Sequence, residues 1–265
     1  MGRKAKGFVV ICGVLLGAFA ALAAVQSMIP PPILVTSATA VAVEGEDDDV
    51  RIFVALSNEG APDWLTSVSS PFGETTQFEP SASDYGIPIP AGMSVQLSAD
   101  AAHLRVSSLT HQPQDGELIP IELTFARAGT ITAKARFSGP VETGGAANVG
   151  LFGIGDICRV GEGEPAPQIS LRFETQASGA TEVIAVTDEF QFTEHLVDGP
   201  HIPGTGHGHL YVGGAKLMRL YSHRALVGAL PSGEHEVRVT LNTNDHRAYV
   251  VDEIPVVAIG HIVVQ

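Results

Sequence analysis

Two cysteines in 265 residues leave no material for a disulfide framework. Cys12 lies in an apolar N-terminal run and Cys158 stands alone far beyond it, so the rest of the chain must hold itself together by packing. Aromatics are sparse, at 6% with a single Trp. Basic residues are scarcer still, 15 Lys and Arg against 29 Asp and Glu, for a net charge of −14. With Arg3, Lys4 and Lys6 of the leader set aside, the remainder carries −17. That balance argues against nucleic acid and anionic lipid surfaces as partners and leaves basic proteins and cations open. Catalytic signatures are absent as well. There is no G-x-S-x-G elbow and no phosphate-binding loop, and the glycines of residues 140–168 do not follow G-x-G-x-x-G after a strand. "HEVRV" at 235–239 lacks the second His that a zincin helix needs and has the pattern of a strand. The expectation is a protein that is not an enzyme.

What is present points to sheets. Gly 29, Pro 17 and many short Val/Ile/Thr/Leu runs between turn residues predict an all-β body. The exception is the start, where MGRKAKG precedes the uncharged stretch Phe8 to Ile29. A bilayer crossing takes about 20 residues. Arg3, Lys4 and Lys6 would keep the N-terminus in the cytoplasm. Two readings stand: an uncleaved transmembrane anchor over residues 1–29, or a signal peptide cut after Ala21-Leu22-Ala23. The apolar run continues past that site to Met28-Ile29, which favours the anchor. Ile11 before Cys12 argues against lipidation of that cysteine, where a small residue is expected. Gly13, Gly17 and Ala21, four apart, offer a close-approach face to another helix, or simply belong to a small-residue signal segment. Either way the body is exported. The expected location is the bacterial inner membrane, single-pass, with the N-terminus cytoplasmic and the β domains periplasmic.

Pro30-Pro31-Pro32 ends the apolar helix, because proline lacks the amide donor and clashes with the preceding turn. Strand patterns follow: ILVTSATAVAV, then an acidic turn EGEDDD, then VRIFVALSNEG, LTSVSS, MSVQLS, HLRVSSL, IPIELTFA and TITAKARFS. Their spacing predicts a β-sandwich or barrel over residues 30–140. Residues 141–168 form a Gly/Pro-rich linker whose middle, NVGLFGIGDI, is apolar enough to pack onto something. A second strand set, ISLRFETQ, TEVIAVT, FQFTEHLV, HGHLYVGG, KLMRLYSH, HEVRVTLN, RAYVV and PVVAIGHIVV, fills a second β-sandwich domain at 169–265. The two halves are not copies of each other.

The first half carries "N-x-G", "V-S-S-P", "I-P-A-G", a His-containing loop, "P-I-E-L-T-F" and "A-G" in that order. Over residues 33–138 this resembles the periplasmic copper chaperone domain known as PCuAC. The resemblance implies a cupredoxin-like β-sandwich that binds copper through His and Met and assists the copper centres of respiratory oxidases. His103 matches the family's His in its "H-x-M" element, but the Met place holds Arg105. Gln77 or Phe78 stands where the family has its other His, and its Met-bearing segment is shortened to "ASDYG". Thioether and imidazole suit Cu(I), whereas guanidinium has no lone pair to give. At about 4 Å and an effective dielectric near 20, an arginine would oppose a monovalent cation by roughly 4 kcal/mol. The expectation is a chaperone-like fold with its metal site dismantled and His103 left as a surface or capping remnant. Met93, at a turn, is read as a packing residue.

The second half holds most of the histidines. His207 and His209 lie at i and i+2 in "GTGHGHLYVGG", on one side of a strand and about 6.6 Å apart along it. "NTNDH" adds His246 beside Asp245, while His201, His223 and His235 are placed in adjoining turns. Residues 169–258 resemble small secreted β domains with a G-H-x-H-L-Y-V and N-D-H pattern, to which no activity attaches. Imidazoles grouped in this way suit Cu(II), Zn or Ni. They also suit a hydrogen-bonding pair on a half-exposed sheet beside Tyr211, and spacing alone does not bring His246 to them.

The reading that follows is a non-enzymatic accessory or structural subunit of a bioenergetic membrane complex, respiratory or photosynthetic, held by its anchor helix and covering the outer face with its β domains. No cofactor is expected on that reading. The alternative is a periplasmic copper-binding or copper-delivery protein using His207, His209 and His246.

Overall fold

The structure, a computed structural model, describes residues 32–43, 45–139 and 157–265. The expected anchor and the middle of the expected linker lie outside the described residues. All regular structure within them is β, and no helix there is long and apolar enough to cross a membrane.

Alternation sets the first sheet. In Glu46–Asn58, Val50, Ile52, Val54 and Leu56 are buried while the residues between them are only partly so. That strand pairs antiparallel with Ile33–Val43 through a tight turn at Gly45, whose φ of 79° suits a residue without Cβ. The acidic run is therefore not the turn that its composition suggested. From Glu46 onward it is strand, because pairing with Ile33–Val43 continues to Val43↔Glu46. Ile33–Val43 also pairs parallel with Gly129–Ser138, and the order continues through Leu118–Phe125 and Asp63–Ser69 to Ile87–Ile89. On the other side of Glu46–Asn58 lie His103–Leu109 and Ser94–Leu97. Outside His103–Leu109 runs Gly73–Glu79, a strand that the sequence did not announce. Its GETTQFE has no apolar alternation, since its ladder hydrogen bonds rather than a buried face hold it in place.

Hydrogen bonding continues into the second half, where Lys216 of Ala215–Leu220 faces Gln96. From there the order runs through Thr205–Val212 and Gly233–Asn242 to Val257–Val264. A separate three-stranded sheet joins Gln168–Thr175, Thr181–Asp188 and Arg224–Val227. One buried cluster draws on both halves, with Ile87 and Leu97 from the first and Val212, Val237 and Ile262 from the second. Backbone closes the junction: Ala91 N donates to Ala229 O at 2.9 Å, and Ala102 N to Gly214 O at 2.7 Å. Gly228 permits this approach, because a Cβ there would lie 2.0 Å from Ala91 O. Met93 packs at this seam, and its Sδ accepts from Gly228 N.

Two further expectations shift. FQFTEHLV is strand only at Gln191–Phe192, after which the chain turns through Asp198, which has a φ of 67°. Its Phe alternation reflects packing of Phe190 and Phe192 beside Tyr249, not a long ladder. Within the expected linker, Ile157–Arg159 forms a short strand parallel to Ala248–Val251.

Candidate metal centre

Thr205–Val212 is a central strand, flanked on one side by Ala215–Leu220 and on the other by Gly233–Asn242, and it is buried almost throughout. Its period of two puts His207, His209 and Tyr211 on one face. The half-exposed sheet considered from sequence is not what forms, since His207 is 0% and His209 6% exposed. Gly206 sets up the meeting with His246. A Cβ there would lie 1.9 Å from Asn242 O, so glycine lets the two strands close and brings the following turn over His207. That turn is anchored, with Asn242, Thr243 and Asn244 all buried. Asn244 Oδ1 accepts from Thr193 Oγ1, and its Nδ2 donates to Thr205 Oγ1, each at 3.0 Å. His246 ends up in the left-handed region at φ 68°, an uncommon place for a side chain of its size.

The three histidines meet. One potential ligand atom from each of His207, His209 and His246 lies within 4.8 Å of the others. His207 Nε2 and His209 Nε2 are 3.1 Å apart, and the His207 and His246 rings are 5.0 Å apart. Burial, with the neighbouring His209, lowers the pKa of His207 to about 3; burial lowers that of His209 to about 4 against the pull of Asp100. Both are therefore neutral at pH 7, the form that binds metals. His207 Nδ1 is buried and meets no hydrogen-bond partner among the described residues.

Around the trio sits a supporting shell. Asp100 Oδ2 lies 3.4 Å from His209 Nδ1, accepts from Tyr211 OH at 2.9 Å and pairs with Lys216 Nζ at 2.5 Å, while Ser98 Oγ donates to its Oδ1 at 2.6 Å. Burial would raise the Asp100 pKa, but these bonds and the Lys216 charge hold it well below the usual carboxylate range. With Asp100 as acceptor, His209 Nδ1 carries the proton and its Nε2 lone pair faces the cluster, the arrangement that carboxylate–histidine pairs give to metal ligands. His246 Nε2 is likewise held, 2.5 Å from Asp198 Oδ1. Replacing Asp100 by alanine would leave the largely buried Lys216 ammonium unpaired. We expect a loss of about 3 kcal/mol. For a chain of this size that corresponds to a fall of roughly 6–12 °C in Tm by calorimetry. Asp100→Ala/Lys216→Met should recover most of it.

The histidine of the first half has a different environment. His103 is buried, not the surface or capping residue expected, and Phe53 packs against it edge-on at 5.7 Å. Its Nδ1 lies 3.1 Å from Ala101 O and its Nε2 3.2 Å from Glu79 Oε2, so both nitrogens face acceptors. Arg105 is held by carboxylates: Asp49 Oδ2 at 2.8 and 2.6 Å, Glu79 Oε1 at 3.4 Å, and Glu46. The hydrogen bond to Asp49, with the charges of Glu46 and Asp49, raises its pKa further.

Among the other histidines, His235 lies on a strand rather than in a turn. His201 Nε2 meets the buried Cys158 Sγ at 3.6 Å, and His223 Nδ1 bonds Ala185 O at 3.0 Å. Sequence reasoning found the three clustered histidines but not Asp100, Lys216 or Asp198. Asp100 is 111 residues from Tyr211, and no local pattern signals such a partner.

Comparison with known proteins falls on the first half. Residues 33–137 match the family described as lipoprotein LpqE-like, over nearly the same span whose motifs resemble the PCuAC domain. Similar solved structures include a copper-bound PCuAC domain from PmoF2, 22% identical, covering 41% of this chain and 94% of that one with a TM-score of 0.36. Another is Cu(I)-DR1885 from Deinococcus radiodurans, 21% identical, covering 40% and 78% with a TM-score of 0.35. No curated protein matches the chain.

Proposed function

We propose that this is an exported transition-metal-binding protein whose metal, Cu(II) by preference, is held in the second half by His207, His209 and His246. The observation that carries the reading is the convergence of three imidazoles, two of them buried and kept neutral, within 4.8 Å. Three nitrogen donors with carboxylates behind two of them suit Cu(II), Zn or Ni, and affinity within that series peaks at Cu(II). The Nδ1 of His207, buried without a hydrogen-bond partner among the described residues, is a feature that a purely structural pair does not need.

Copper at His103 is not part of the proposal. Arg105 offers only N–H groups, and the carboxylates around it are already engaged. The surroundings of His103 do not fit a soft cation, and we read this half as scaffold.

The test is calorimetric titration of the full chain, purified in mild detergent, with Cu(II) and with Zn(II). One equivalent of Cu(II) should bind with a submicromolar Kd and Zn(II) more weakly. Absence of saturable binding, or binding that survives loss of the trio but not of His103, sinks the proposal.

A second reading has its own support. Val257, Ile259 and Val263 project to solvent from one face of Val257–Val264, with Ile254 exposed nearby. Apolar side chains in such a row suit a subunit contact, in line with an accessory subunit anchored in the inner membrane. Migration of the native detergent extract as a stoichiometric large complex would support it; a free monomer would count against it.

A further inference from the structure

Arg219 joins the face of the three histidines from the neighbouring strand Ala215–Leu220. It stands directly opposite His209 in the antiparallel ladder, so its side chain leaves the sheet on the same side as that ring. Tyr221, just past the end of the strand, lies beside His207, with the two rings 6.2 Å apart. Beyond the single bridge between Lys216 and Gln96, no described strand flanks Ala215–Leu220 on its outer side. Arg219 is therefore exposed at an open edge.

Its charge has no partner of its own. Among the described residues Arg219 makes no hydrogen bond and no ion pair, whereas Lys216 is paired with Asp100 and Asp198 is engaged by His246. The Arg219 charge nonetheless acts on His207, His209 and Asp198, which places it within electrostatic reach of all three. His207 and His209 are buried, but the side chains of His246 and Asp198 are 28% and 77% exposed. Solvent thus meets the trio on the side that Arg219 borders.

Three imidazoles leave a tetragonal Cu(II) ion short of a ligand. Being neutral, they also leave its charge uncancelled. With Arg219 and Lys216 beside it, a bound divalent ion has only Asp100 and Asp198 as counter-charges, so the loaded site carries a positive surplus on an otherwise acidic body. Such a surplus attracts small anions.

Building on the metal reading above, we propose that the loaded site takes a small carboxylate as its further ligand, one oxygen on the ion and the other accepting from the Arg219 guanidinium. The planar fork of arginine matches a carboxylate in a way that a spherical halide cannot exploit. The substrate class of the site is then copper carried by a small carboxylate compound, such as an amino acid, rather than the hydrated ion alone.

The full chain in mild detergent, loaded with one equivalent of Cu(II) in carboxylate-free buffer, is titrated with acetate, with chloride and with acetamide, which has the shape of acetate without its charge. The visible absorption and EPR spectra of the copper are followed. Acetate should shift both with a Kd at least ten-fold below that of chloride, and acetamide should shift neither. In Arg219→Gln acetate should bind at least ten-fold more weakly, while bare Cu(II) should bind more tightly than in the native chain, because a positive charge near the ion has gone. Opposite signs in the two titrations separate a grip on the carboxylate from damage to the fold. A native chain that binds no Cu(II) sinks the metal reading and this one with it. Saturable Cu(II) binding without preference for acetate over chloride, an acetate affinity unaltered in Arg219→Gln, or a loss of Cu(II) affinity in that variant overturns this proposal alone.

Discussion

His207→Ala/His209→Ala should bind Cu(II) at least a thousand-fold more weakly than the native chain, measured by competition against a chelator of known affinity. The double change removes two of the three donors and leaves His246, which is partly exposed and held by Asp198, with no partner ligand. A single imidazole on a surface is an ordinary weak site. A graded series should appear between these limits. Asp100→Asn keeps the donors but removes the charge behind His209, and changes to such a carboxylate typically cost 10–100-fold in metal affinity. His103→Ala should leave Cu(II) affinity within three-fold of native, because Ala101, Glu79 and Phe53 already surround that ring. An outcome in which His103→Ala and the double variant weaken binding alike would return the metal to the first half.

Acidification of the metal-free protein should be the second large effect. In the unfolded chain His207 and His209 take up protons at the ordinary histidine value of 6.5, whereas in the fold they resist until about pH 3 and 4. Between those limits the unfolded state binds more protons, so stability falls as pH falls. By pH 5 each ring, treated alone, would cost about 2 kcal/mol. Their Nε2 atoms are 3.1 Å apart and titrate as a pair, so we expect about 3–4 kcal/mol in total rather than a strict sum. Thermal unfolding of metal-free protein should fall by roughly 10 °C between pH 7.5 and 5. His207→Gln/His209→Gln should flatten most of that slope. A slope unchanged in the variant would mean that the rings are not the buried neutral pair described above.

Much of this was legible along the chain. The all-β character followed from short apolar runs broken by Gly and Pro, and most strands fell where period-two alternation placed them, as in VRIFVAL and HEVRVTLN. Among the strands that escaped notice, which also include Ile87–Ile89 and Arg224–Val227, Gly73–Glu79 and Ile157–Arg159 carry no alternation, because neighbouring ladders rather than a buried face stabilise them. FQFTEHLV misled for the converse reason: its two Phe residues alternate because they pack beside Tyr249.

The candidate site divides in the same way. His207 and His209 shared a strand face by arithmetic of the pleat alone, and the chemical consequence of arginine in a thioether's place could be stated from residue 105 itself. Sequence also settled the acidic surface and the want of disulfides, since charge and cysteine count do not depend on folding. Only the tertiary structure decided that His246 reaches the pair, that Asp100 braces His209 from the other half of the chain, and that Arg105 is held among carboxylates drawn from two other strands. Each of these joins segments far apart in sequence, and such contacts are set by strand order and close backbone approach at Gly206 and Gly228, which no local period encodes.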